Sequence, residues 1–387
     1  AGDSVVGYGL FAFVAMVGLA YVNFLPGVVS ALAGGIGFSD VEAGQIVAAN
    51  GYGGLFGSAI AIVFVRHIQW KTTMLILLTL LTLTDMFTAL MPSYYTMLGC
   101  RFIAGILGGL CVGVAFSALA RLNSPDKAFG YLLFMQFIVG AIVMYSLPML
   151  ETALGHYAVF YVLVCFGGAS IAIMSFLPAL PSSKTTKTHL DVSLNGTANI
   201  ILLMLAIVFY LCAANAIWAY IELIGLEAGM DDNIVASYIA STGMLGLCGA
   251  LIPMMTAKRF GRLFWVVAGV VLSVIASGML YTTPLTATTY VVAMALLFFS
   301  WPAVNSYLLA VTAELDPSGR LSTVAAVISQ LGLASGPLMA SGLIDSGDFS
   351  TLLLACAAIF ILSLLLLVRP VKAVENNATA YSSQYQS

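Results

Sequence analysis

Three ionisable residues sit in stretches that are otherwise almost wholly apolar, and chemistry is expected there first. They are Asp85, in Leu81-Thr82-Leu83-Thr84-Asp85-Met86; Arg101, in Leu98-Gly99-Cys100-Arg101-Phe102-Ile103; and Glu222, in Trp218-Ala219-Tyr220-Ile221-Glu222-Leu223. A charge at the centre of a bilayer-spanning helix costs about 2.5–3.5 kcal/mol on the insertion scale, so each needs a reason. Arg101 reads as a cavity cation that binds a solute or responds to a proton carrier; the other reading is a clamp on the carbonyls of a neighbouring helix. Asp85 reads as its ion-pair partner or as a protonatable carrier. Asn215, Trp218 and Glu222 recur at i, i+3 and i+7 and so share a helix face. That polar and aromatic stripe suggests cavity lining, the alternative being a Trp and a Glu at the membrane edge. Burial penalises the charged form of a carboxyl, which would suit Glu222 to carrying a proton.

Uncharged polar residues also interrupt apolar runs. Tyr21 and Asn23 precede Pro26, and Gln136, Trp301, Asn305 and Gln330 lie further along. Each has the groups to hydrogen-bond a solute, or to tie two helices together at about 0.6 kcal/mol on average. Glycines recur every four residues at Gly53 and Gly57, at Gly105 and Gly109, and at Gly332 and Gly336, the spacing that lets helices approach closely. The six cysteines show no metal-ligand spacing, and His67, His156 and His189 all fall at loops or edges. There is no metalloprotease motif, no phosphate-binding glycine loop and no Ser/His/Asp set at a shared depth. No metal, cofactor or enzymatic activity is expected.

The elements that must position these residues are helices in a membrane. The chain of 387 residues is 61% hydrophobic and 7% charged, against about 25% charged for a soluble domain. About twelve apolar segments are predicted, near 6–32, 41–65, 72–91, 95–121, 128–150, 157–178, 198–225, 233–257, 263–282, 287–313, 321–343 and 350–368. Their runs are continuously apolar, so helices are expected rather than barrel strands. Every Lys and Arg except Arg101 falls in alternate gaps or in the C-terminal tail: Arg66 and Lys71, Arg121 and Lys127, Lys184 and Lys187, Lys258, Arg259 and Arg262, Arg320, Arg369 and Lys372. The intervening gaps carry only acids, Asp40 and Glu42, Glu151, Asp231 and Asp232, Asp345 and Asp348. The positive-inside rule assigns the basic loops and both termini to the cytoplasm. Trp70 and Trp265 are expected as anchors at that edge. Basic residues spread thinly along one face give no reason to expect nucleic acid.

The longest polar stretch, residues 179–197, reads as a linker between a six-helix half at 1–178 and a second at 198–370, with residues 371–387 as a disordered cytoplasmic tail. The halves match at an offset of about 193: Arg66-His67-Ile68-Gln69 falls on Arg259-Phe260-Gly261-Arg262, Ala120-Arg121-Leu122-Asn123 on Ala313-Glu314-Leu315-Asp316, and Lys127 on Arg320. Asn23 and Asn215 pair in nearly the same register. Two parallel six-helix repeats are a transporter architecture, with the solute site between them near mid-bilayer.

At this point the chain resembles the major facilitator superfamily over essentially its whole length. The family's loop between spans two and three usually reads G-x-x-x-D-R-x-G-R. The second-half copy here keeps Arg259, Gly261 and Arg262, with Lys258 where the family places its Asp, and the first-half copy keeps only Arg66 clearly. The resemblance implies cytoplasmic gating loops at those residues. It also implies a cavity role linked to proton coupling for Arg101, which is followed by Gly105 and Gly109. The fifth-span G-x-x-x-G-P motif of drug/proton antiporters is absent; Gly140-Ala141-Ile142-Val143-Met144-Tyr145 stands there, while a related string, Gly332 to Pro337, sits in the eleventh span.

The expected fold is therefore an all-α polytopic membrane protein of twelve transmembrane helices in two six-helix pseudo-repeats. The expected function is a secondary active transporter, a monomer in a bacterial inner membrane. It would move a small organic solute by alternating access, coupled to protons through Glu222, Asp85 and Arg101. An uncoupled facilitator and a multidrug/proton antiporter are the alternatives within that class, and a transport-inactive membrane receptor is the alternative outside it.

Overall fold

The computed structural model describes residues 4–65, 67–123, 125–180, 194–256, 260–315 and 320–384. It is helical throughout, apart from an isolated antiparallel bridge between Asp345 and Asp348. Among the described residues ten helices are long and apolar enough to cross a membrane, and shorter apolar helices supply the two remaining crossings. The chain is thus an all-α membrane protein of twelve spans in two six-helix pseudo-repeats. Span one is broken into Val5–Val17, Ala20–Asn23, Leu25–Ser30 and a wider π turn, Ala31–Ile36. Spans two to six are Asp40–Phe64, Trp70–Thr88, Tyr94–Ala120, Pro125–Leu154 and Ala158–Met174. Span seven is Leu194–Glu227, and span eight runs through Asp232–Gly243 and Leu245–Thr256. Spans nine to twelve are Gly261–Tyr281, Ala287–Leu315, Arg320–Ser341 and Ser350–Gln384.

Local signals start several of these helices. Ser39 and Glu42 form a reciprocal capping box at span two: the Ser39 hydroxyl accepts from the Glu42 N–H, and the Glu42 carboxylate accepts from the Ser39 N–H. Asp40 and Glu42 also place negative charge where the helix N-terminus favours it. Ser93 and Thr96 cap span four in the same way.

The chain forms two compact units. The first comprises residues 1–186, 218–241 and 337–342, and the second residues 187–217, 242–336 and 343–387. The division passes through spans seven, eight and eleven. Within the first unit, Phe11, Met16, Met74, Cys111, Leu119, Leu132 and Met174 belong to one buried cluster drawn from spans one and three to six. Trp70 lies in it as well. It is 2% exposed and its ring packs on Phe11, so it is a core residue rather than the interfacial anchor its position suggested. Large apolar side chains such as Phe176 and Leu365 are exposed, as a lipid-facing surface requires.

Spans two and four touch backbone to backbone. A Cβ at Gly53 would run into the Phe102 carbonyl, at Gly57 into the Ile106 carbonyl, at Gly105 into the Asn50 carbonyl, and at Gly109 into the Gly54 carbonyl. The four-residue glycine spacing is therefore a packing seam. In the second unit the ties are hydroxyls. Tyr210, Ser273 and Ser300 form a buried chain across spans seven, nine and ten, Ser277 donates to the Leu353 carbonyl and Ser363 to the Ala206 carbonyl.

The helix of span twelve runs to Gln384, where a disordered tail was expected. Glu375 gives a physical reason. Its carboxylate lies against Gly261 and accepts from the Leu263 N–H at 3.5 Å, at the start of span nine.

Candidate functional site

Spans three and four bring Asp85 and Arg101 together. The short connection between them sets the two helices antiparallel, and Arg101 Nη1 reaches Asp85 Oδ1 at 2.7 Å and Thr88 Oγ1 at 2.9 Å. Thr88, one turn beyond Asp85, passes its own proton to the Thr84 carbonyl. The guanidinium lies over the Tyr21 ring at 4.5 Å and near the Phe160 ring at 5.4 Å. Arg101 is 1% exposed and Asp85 5%. The pair is thus walled in by spans one, three, four and six. Asn50 Nδ2 donates to the Arg101 carbonyl and fastens the same point to span two. Arg101 Nε is buried without a hydrogen-bond partner. The arrangement holds two opposite charges in apolar surroundings, where breaking one partner costs about 3–5 kcal/mol.

A second group gathers around span seven in the first unit. Pro26 has no N–H, so the Val22 carbonyl lacks its helical donor. The Trp218 indole Nε1–H takes that carbonyl at 2.9 Å. Two residues on, and so towards the opposite side of the helix, the Tyr220 hydroxyl donates to the Asp40 carbonyl at 2.7 Å and accepts from the Gly44 N–H. Glu222 follows, 9% exposed, its carboxyl taking a hydrogen bond from Ser30. Its Oε2 is buried with no partner. The charges that act on it are those of Glu151 from span five and Asp232 from span eight, both of its own sign.

Asn215 serves a different proline. Pro337 leaves the Leu333 carbonyl without a helical donor, and Asn215 Nδ2 takes it at 2.6 Å within the second unit. The stripe of Asn215, Trp218 and Glu222 thus has separate duties along its length. Asn23, Gln136, Trp301, Asn305 and Gln330 are half-buried and share no hydrogen bond with the Arg101 or Glu222 groups. Asn23 Nδ2 and Asn305 Oδ1 have no partner.

Of the gating-loop residues, Arg66, Lys258 and Arg259 lie outside the described residues. Gly261 starts span nine with φ +75°, following Phe260 at φ +65°, and Arg262 follows it. Glu375, from span twelve, places its carboxylate against Gly261. Sequence reasoning missed Glu375 and Tyr220. Neither lies near its partner in the chain.

The sequence model of the Major Facilitator Superfamily matches residues 10–332. The chain belongs to this superfamily. Solved structures share its fold at low identity. A mutant of the nucleoside transporter NupG superposes with a TM-score of 0.77 at 14% identity, covering 94% of this chain and 98% of that one. A D-xylose–proton symporter gives 0.76 at 15%, covering 95% and 98%. The POT family transporter PepTSo gives 0.71 at 12%, covering 97% and 98%. No curated protein sequence matches the chain.

Proposed function

We propose that this superfamily member is a secondary transporter that moves a small organic solute by alternating access and couples it to protons on Glu222. The observation that carries the coupling is the unpartnered, buried Glu222 Oε2 beside two further acids. The charge of a carboxyl buried there is tied to whether spans one, five, seven and eight stay packed around it. Arg101 and Asp85 neutralise one another, and we assign them a positioning role, holding spans three and four against Tyr21. Within the first unit, solute contacts are assigned to the half-buried Asn23 and Gln136. The basic loops and both termini face the cytoplasm, the acidic loops face outside, and the chain works as a monomer.

The test is transport in liposomes carrying an imposed pH gradient, screened over sugars, nucleosides, amino acids, organic acids and amphipathic drugs. Expected is one solute class that dissipates the gradient with the native chain and is moved without doing so by Glu222→Gln. Solute movement that never touches the gradient in the native chain would establish an uncoupled facilitator instead.

A further inference from the structure

We infer that Tyr220 and Trp218 form a two-point latch that holds the acidic-loop side of the transporter closed, with Tyr220 as the releasable bolt. The latch rests on the transporter reading above. It is built from contacts inside the first unit, where the ends of spans seven and eleven pack with spans one and two.

The Tyr220 hydroxyl enters the first turns of span two between the Asp40 carbonyl and the Gly44 N–H. Those groups stand four residues apart, the spacing of a helical hydrogen bond. Gly44 admits the hydroxyl because a Cβ there would strike it, and the same Cβ would meet the Pro337 carbonyl at 3.0 Å and Ser341 Cβ at 2.9 Å. One small residue thus brings spans two, seven and eleven to a common point. When Tyr220 withdraws, Asp40 and Gly44 still have each other, so no buried backbone group is stranded. Trp218 differs. Its partner, the Val22 carbonyl, has lost its donor four residues on to Pro26, and only the Phe24 N–H is left to it when the indole leaves. Trp218 and Tyr220 lie about 200° apart around the helix, so span seven is held from two sides.

The test is a reporter cysteine. Ser341 is 4% exposed and packs against Gly44, so Ser341→Cys, with the six native cysteines replaced, reacts with a membrane-impermeant maleimide only when this side opens. Expected is slow labelling from the acidic-loop side, made about fivefold faster by Tyr220→Phe, which is the worth of about one hydrogen bond at 1 kcal/mol. Gly44→Ala displaces the hydroxyl and is expected to speed labelling to a similar extent, with no further gain in the double variant. An unchanged rate in Tyr220→Phe at unchanged melting temperature overturns the latch, as does additive acceleration in the double variant. Labelling needs neither solute nor proton gradient, so its failure is distinct from a failure of the coupling assigned to Glu222.

Discussion

The Trp218 indole donates to the Val22 carbonyl because Pro26 has removed that carbonyl's helical donor. A proline in span one thus creates an acceptor that an aromatic residue on span seven satisfies, and each explains the other's position. Pro337, Leu333 and Asn215 repeat the device.

The first prediction tests that dependence. Trp218→Phe keeps most of the ring and deletes the donor, leaving the Val22 carbonyl only the Phe24 N–H, at a cost of about 1 kcal/mol. Pro26→Ala restores an N–H that can reach Val22. The melting temperature in detergent should fall in Trp218→Phe and fall much less when Pro26→Ala is already present, with a coupling above about 0.5 kcal/mol. Additive losses would show that the indole N–H does not answer the proline.

Asp85→Ala leaves the Arg101 guanidinium buried at 1% exposure with Thr88 as its remaining side-chain acceptor. A loss of about 3–5 kcal/mol is expected. Replacing both partners, Asp85→Leu with Arg101→Met, should recover most of it, because no charge then remains to be buried. Arg101→Lys should not behave as a conservative change, since an ammonium cannot reproduce the planar guanidinium that lies over the Tyr21 ring. Thermal melts of the three variants, ranked against the parent, check the order.

Gly105→Ala drives a Cβ into the Asn50 carbonyl at the crossing of spans two and four, and it also disturbs the Asn50 bond to the Arg101 carbonyl. Folded protein recovered from membranes should drop sharply. Gly140→Ala is the control, because nothing stands within 4 Å of a Cβ there. It should be neutral or stabilising by about 0.5–1 kcal/mol, as expected for a helix interior.

What the sequence disclosed follows from what is costly in a membrane. Arg101 and Asp85 were readable as a pair because neither charge is tolerable alone at that depth. The glycine seam was readable from its four-residue period. The broken course of span one was not: Pro26 warned of a kink, but the interruptions at Gly18 and Phe24 and the π turn to Ile36 depend on tertiary packing. Tyr220 was invisible because its partners are backbone groups in a helix 180 residues away, and backbone acceptors leave no mark in a sequence. Trp218 was read as cavity lining because an aromatic residue beside an acid looks the same whether it meets a solute or a stranded carbonyl.

The last prediction concerns the sign of the pH response. Glu222 is buried, and among the described residues the charges that act on it are those of Glu151 and Asp232. Ionising its carboxyl adds a negative charge to a site that already holds two acids, and spreading spans one, seven and eight apart relieves that charge by hydration. Acidification neutralises the carboxyl and favours the packed arrangement. Maleimide labelling of Ser341→Cys should therefore slow as the pH on the acidic-loop side falls. In Glu222→Gln the carboxyl is replaced by a permanently neutral amide, so labelling should be slow across the range and nearly flat in pH. A pH response that survives in Glu222→Gln would transfer the titration to Glu151 or Asp232. Repeating the measurement in Glu151→Gln and Asp232→Asn would then show which of the two carries it.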